Sequence, residues 1–317
     1  MNTNLNCLLV FNLLFSTNWL IIWLSFELNL ISFIPLISVN QSGLSTSASV
    51  KYFLIQAIGS IFLLMSLLSM FAFLPLPISG SLLFMISLIL KMGVAPAHFW
   101  LPLVISSTNW LNSFIIFSLQ KAGPLFLVIS FSKSWSLSLI LMISMCSVII
   151  GGLGGLNQTK ISAIIAYSSI SHMGWIFAPM LYSSLFPLLY FMIYITILLL
   201  IILILEKGKF SKTSSGLKFT KNDNFNIFFF FLCILSLGGI PPLLGFFMKW
   251  VIFLLIPSFF LVLCLIFGSL INLFYYLSLI FSSVGVQFYF FKVLFQKKLF
   301  FIMIILNFFM PVFLLSL

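Results

Sequence analysis

The sequence predicts an all-α polytopic membrane protein of about eleven transmembrane helices, and three observations lead there. The first is composition. Of 317 residues, 63% are hydrophobic and 5% charged, with a mean hydropathy of +1.32, where a soluble domain carries roughly 25% charged residues. The second is run length. A bilayer span needs about 20 apolar residues, and such runs recur along the whole chain; the longest polar stretch is EKGKFSKTSSGLKFTKNDN at 206–224. The third is the placement of the lysines, which sorts the connections between spans into two classes.

Reading apolar runs against polar or Pro/Gly punctuation places spans near 3–17, 18–38, 49–74, 79–105, 107–131, 135–155, 157–180, 183–205, 225–253, 257–284 and 298–317. STN at 16–18 divides the first pair, and the polar stretch at 206–224 precedes the ninth span. Alternating connections then carry Lys51, Lys160, Lys207, Lys209, Lys212, Lys218, Lys221, Lys292, Lys297 and Lys298 on the N-terminal side, against Lys133 alone on the other. That asymmetry puts the N-terminus in the cytosol-equivalent compartment. No basic n-region, cleavage site or Arg-rich transit segment occurs in MNTNLNCLLVFNLLF, so no cleavable targeting segment is expected.

The net charge of +11 does not describe a nucleic-acid binder. All fourteen basic residues are lysines, scattered among loops and spans, with no soluble face to carry a duplex. Cys7, Cys146, Cys233 and Cys264 are isolated in apolar runs without metal-ligand spacing, so they read as small buried hydrophobes and no metal site is expected. The glycines of GGLGGLNQT, 151–159, do not fit GxGxxG, follow no strand and lack a downstream acid. They predict a helix terminus and tight turn between the sixth and seventh spans.

Three lysines belong to no loop: Lys91, Lys121 and Lys249 lie within spans, and Glu27 joins them in WLSFELNLISF. Each charge at a helix centre costs about 2.5–3.5 kcal/mol on insertion scales, so each points to function, the alternative being a side chain that snorkels to the interface. Two of the lysines stand beside helix breakers: Lys91 before Gly93 and Pro96, and Lys249 after Gly238, Gly239, Pro241 and Pro242. Proline removes a backbone donor and blocks an i−4 carbonyl, and inside a bilayer such a break survives only within protein or beside a wet cavity. The broken spans are the fourth and ninth, five apart. Because five is odd, the second copy runs the opposite way: an inverted repeat, with repeat one near 1–131, repeat two near 135–284 and an extra helix near 298–317. Desolvation disfavours the charged form of acids and bases alike, so a row of such groups suits proton transfer. His98 and His172, of a residue type that titrates near neutrality, join Glu27, Lys91, Lys121 and Lys249 as candidate relay residues.

Seven segments in order, WLSFELNLISFIPL, KYFLIQAIGS, LKMGVAPAHFWLP, LQKAGP, GGLNQT, IAYSSISHMGW and LSLGGIPPLLGFFMKW, make the chain resemble the antiporter-like membrane subunits of respiratory complex I from about residue 18 to 280. The resemblance implies an antiporter-like fold of two inverted five-helix bundles. It implies that Glu27 pairs with Lys91, that Lys121 is the central relay, that Lys249 connects to a neighbouring half-channel or exit, and that His98 matches the family histidine between the lysines. Where relatives carry charge after NQT, this chain has Ser162 and Ala163, leaving Lys160 as an orientation-setting flank. The resemblance further implies a multi-pass protein of the mitochondrial inner membrane with its N-terminus on the matrix side. It would be a subunit of the proton-translocating NADH:ubiquinone oxidoreductase, beside other membrane-arm subunits, including neighbouring antiporter-like ones, and lipids. No redox cofactor is expected in this chain; NADH, FMN, iron–sulfur clusters and ubiquinone would be handled by partner subunits. Two other readings stand beside this one: a cation/proton antiporter acting free-standing or in a multi-subunit assembly, and a non-catalytic membrane scaffold.

Overall fold

The computed structural model describes residues 18–38, 43–70, 80–132, 137–207, 224–241 and 243–284, together with Asn6 and Trp135. The predicted first and eleventh spans, Cys7, Lys133, Pro242, most of the 206–224 stretch and the lysines beyond 285 lie outside the described residues. Among the described residues every regular element is a helix: α1 Trp19–Ser38, α2 Gly43–Met70, α3 Gly80–Met92, α4 Trp100–Ser107, α5 Trp110–Phe117, α6 Leu119–Phe131, α7 Leu137–Leu156, α8 Ile161–Phe177, α9 Leu185–Lys207, α10 Asn224–Gly238, α11 Leu244–Leu255 and α12 Phe259–Val284, with a 3₁₀ turn over Ala178–Leu181. Among the described residues seven stretches are long and apolar enough to cross a bilayer. The predicted spans 79–105 and 225–253 fall short because each is two shorter helices end to end.

Two compact units emerge, Met1–Ile143 and Ser144–Leu317. In the first, α2 packs along α3, and α1 lies on α2; α3 also meets α6. Helix α2 begins earlier than predicted, at Gly43. Its polar start is accommodated because Thr46, Ser47 and Ser49 donate their hydroxyls to carbonyls one turn back, on Gly43, Leu44 and Thr46, at 2.7–3.0 Å. Outward-facing Val50, Phe53, Leu54, Ile58 and Ile61 give α2 the exposed apolar side that lipid or a protein neighbour covers.

In the second unit α8 is the centre: of Ile161–Phe177 every residue except Tyr167 is buried. Helices α9 and α12 flank it, and α10 packs on both of those. The GGLGGLNQT segment forms the helix terminus and turn expected of it: its glycines lie in the last turns of α7, which ends at Leu156, and the turn follows at Asn157. The glycines also serve approach: a Cβ on Gly154 would run into the Tyr167 ring and one on Gly155 would lie 2.6 Å from the Tyr275 ring. Small residues that let membrane helices close on one another are the usual substitute for a hydrophobic driving force in lipid.

The two breaks share one construction. Helix α3 ends with Gly93 at φ +66°, its N–H donating to the Leu90 carbonyl and that of Val94 to Ile89. Helix α10 ends with Gly239 at φ +84°, its N–H donating to Ser236 and that of Ile240 to Leu235. Both are Schellman ends, in which a residue in the left-handed region closes the helix and two of its last carbonyls are satisfied. Only glycine takes that conformation without steric cost.

A third irregularity was not foreseen. The predicted span 107–131 is divided at Ser118, with φ −105° and ψ −81°, into α5 and α6. Pro124 lacks the N–H that would bond the carbonyl of Gln120 and crowds that carbonyl, so the turn before it loosens. The Ser118 carbonyl accepts from both Lys121 at 3.2 Å and Ala122 at 3.0 Å. Lys121 sits in this loosened turn.

Candidate functional site

In the first unit Lys91 and Glu27 come together where α1, α2 and α3 meet. Lys91 occupies the last turn of α3 and is 4% exposed. Its stem lies against Gly59 of α2, where an added Cβ would come within 3.1 Å of Lys91 Cγ. Its Nζ stands 4.3 Å from the centroid of the Phe26 ring on α1, a contact worth about 2 kcal/mol when desolvated. The next residue on α1 is half-buried Glu27, whose charge acts on Lys91. Gln56 Nε2 donates to the Lys91 carbonyl at 3.1 Å and Trp100 Nε1 to that of Leu90 at 3.2 Å. The Lys91 carbonyl, left over at the helix end, thus receives a side-chain donor, and the Leu90 carbonyl, which already accepts from Gly93, receives a second. His98 is buried between the half-helices, donating Nδ1–H to the Pro96 carbonyl at 3.1 Å and stacking on Phe99.

Lys121, 1% exposed, is among the largest fully enclosed side chains of the chain. Its Nζ faces the Phe117 ring at 5.8 Å, across the Ser118 irregularity. Its neighbour Gln120 exchanges two hydrogen bonds with Asn29 of α1, at 2.9 and 3.2 Å.

The second unit organises its site around α8. Lys249, 4% exposed, belongs to α11 and reaches back to the end of α10. Its Nζ donates to the carbonyls of Gly238 at 2.9 Å and Leu237 at 3.4 Å, two of the groups that a helix end leaves without partners. The aligned peptides there carry about half a negative charge, so the ammonium is paired with backbone. Trp175 of α8 completes the enclosure, its ring 5.6 Å from Nζ. His172 lies three residues earlier, hence on the same face of α8. Its Nδ1 shares a 2.8 Å hydrogen bond with the Tyr190 hydroxyl, and its ring lies 5.0 Å from that of Tyr194. Around it, Asn272 Nδ2 donates to Ser171 Oγ at 2.7 Å. Tyr194, Tyr275 and Tyr276 face Ser169, Ser171 and Ser168 without completing a full hydrogen bond. A small cavity, with room for about one water, is bounded by His172, Tyr190, Tyr194, Ser236, Leu237 and Met248, and so joins the histidine to the α10 break.

Five of the six residues singled out from the sequence are therefore found at, or one turn from, interrupted helices or on the central α8; Glu27 lies midway along the continuous α1. Within the first unit Glu27 and Lys91 come together, and Lys121 lies on a helix tied to Glu27's own. Within the second, His172 and Lys249 share the surroundings of Trp175. The tyrosine cluster and the Asn29–Gln120 pair were not foreseen; neutral amides and phenols do not stand out in a hydropathy profile. Among the described residues no three of His, Cys, Asp and Glu converge as a metal site.

Interrupted membrane helices with buried lysines at the interruptions define an antiporter-like membrane subunit. The sequence matches the family described as NADH:quinone oxidoreductase/Mrp antiporter, transmembrane, over residues 16–275. The chain belongs to that family, and within it to the NADH-ubiquinone oxidoreductase chain 2 group. It is 37% identical over 243 residues to chain 2 of Locusta migratoria, and 38% identical over 248 residues to that of Ovis aries; each match covers 75% of this chain and 70% of the relative. Similar solved structures include a chain of respiratory complex I from Thermus thermophilus, with TM-score 0.75, 20% identity, and coverage of 98% of this chain and 75% of that one. A chain of the Mrp complex from Dietzia sp. DQ12-45-1b gives TM-score 0.76, 18% identity, and coverage of 87% and 58%. At those identities the structures establish the fold alone.

Proposed function

We propose that the chain is a proton-translocating membrane subunit of an NADH:ubiquinone oxidoreductase, in which electron transfer among NADH, FMN, iron–sulfur clusters and ubiquinone occurs in partner subunits. Its setting is the mitochondrial inner membrane, N-terminus on the matrix side, next to other antiporter-like subunits and lipid. Glu27, Lys91, Lys121, Lys249, His98 and His172 are the relay residues, held on two inverted five-helix repeats near 1–131 and 135–284 followed by the helix near 298–317. The observation that carries this reading is the enclosure of three lysines at helix interruptions. An ammonium kept from water in such a place is costly and responds to whether a counter-charge is present. Glu27 beside Lys91 is such a counter-charge; a proton shift that neutralises one alters the other.

The test is Lys121→Met in the assembled complex, reconstituted into vesicles. Methionine keeps the length and apolar bulk of the stem, so assembly is expected to persist while the protons pumped per NADH oxidised fall. A variant pumping at the parental ratio removes the reading.

A second reading, cation/proton antiport, has the likeness to the Mrp-complex fold in its favour. It predicts Na⁺/H⁺ exchange by this chain in vesicles without the oxidoreductase's other subunits; absence of exchange there, with pumping in the complex, dismisses it.

A further inference from the structure

The turn that carries Lys121 lacks the full ladder of backbone bonds that elsewhere fixes a helical side chain. Ser118 departs from helical geometry on one side, and Pro124 withholds its donor from the Gln120 carbonyl on the other. Contacts from outside α6 help to fix this turn. One of them is the reciprocal amide pair: Asn29 Nδ2 donates to Gln120 Oε1 at 2.9 Å, and Gln120 Nε2 donates to Asn29 Oδ1 at 3.2 Å. Asn29 is buried and Gln120 half-buried. The partners belong to functional neighbourhoods on both sides, since Gln120 adjoins Lys121 and Asn29 is two residues from Glu27. We propose that Asn29 and Gln120 form a positioning clasp that holds the Lys121 turn against the Glu27 helix. The clasp joins the middle of α1 to the first turn of α6, where each amide has few alternative partners in lipid, and it is reciprocal, because each amide gives one bond and takes one.

This inference rests on the relay reading above and is tested by exchange of the two amides in the assembled, vesicle-reconstituted complex. Gln120→Asn shortens one arm and Asn29→Gln lengthens the other; both remain polar and uncharged and change the side chain by one methylene. Each single variant is expected to assemble, oxidise NADH and lose this chain's share of protons pumped per NADH. The double variant Asn29→Gln with Gln120→Asn keeps the summed arm length and is expected to recover that share. Singles that pump at the parental ratio overturn the clasp, and so does a double variant no better than the poorer single. If a single variant fails to assemble, the double decides again: assembly with pumping supports the clasp, and assembly without pumping overturns it. Lys121→Met run alongside separates the two ideas. Parental pumping by that variant removes the relay itself, whereas a defective Lys121→Met beside unaffected amide singles removes the clasp alone.

Discussion

Lys249 and His172 show how differently two buried polar groups can be held. Lys249 is fastened to main chain, so its truncation strips donors from the Gly238 and Leu237 carbonyls at the end of α10. Lys249→Ala is expected to cost about 1 kcal/mol of stability, seen as a lower thermal midpoint of the purified complex, together with reduced pumping. His172 is fastened to a side chain. Tyr190→Phe removes the hydroxyl bonded to Nδ1 while leaving the ring to pack; proton pumping is expected to fall together with a modest drop in the midpoint, and a midpoint drop without loss of pumping would make Tyr190 a packing residue only. Both lysine and histidine were legible in the sequence, because titratable residues inside apolar runs are rare enough to be noticed. Tyr190, Tyr194, Tyr275 and Tyr276 were not. A tyrosine in a membrane helix is as readily an interfacial anchor as a core group, and only the packing of α9 and α12 on α8 distinguishes the two.

Among the elements, two interrupted helices were foreseen and a third was missed, although Gly123 and Pro124 are adjacent in it. LGGIPPL and KMGVAP announce an end; in LQKAGP the disturbance falls one turn upstream of Pro124, at Ser118, a residue with nothing unusual about it. The α10–α11 break yields a graded prediction. Gly239 sits at φ +84°, and a Cβ there would come 2.9 Å from Lys249 Nζ, so Gly239→Ala costs about 1–2 kcal/mol from the left-handed backbone alone and displaces the ammonium. Gly245→Ala is worse, because its Cβ would lie 1.7 Å from the Ser236 carbonyl oxygen and α11 could no longer cross α10. Gly238→Ala meets nothing closer than 3.5 Å and serves as the tolerated control. Assembly yield and thermal midpoint across the three variants check the order.

For the whole molecule, the fold class was legible because lipid demands apolarity nearly everywhere, which leaves the polar remainder conspicuous. What composition could not convey was which helix is central to the second unit, since α8 is no more apolar than its neighbours and glycines on α7 let it approach. The orientation drawn from the lysines is open to direct measurement. Lys160→Cys and Lys207→Cys flank α8 and α9 and are expected to react with a membrane-impermeant thiol reagent from the same, matrix, side; labelling from opposite sides would overturn the topology. Fourteen cationic side chains share three acidic ones, too few to go round. The two carbonyls that hold Lys249 make good part of that shortage, and they bear on how the site would respond to genetic change. A peptide oxygen survives every substitution at its own position, so a hunt for this cation's anionic mate among side-chain variants is expected to come back empty. Damage would surface at glycines and prolines, whose only offence is to bend the chain.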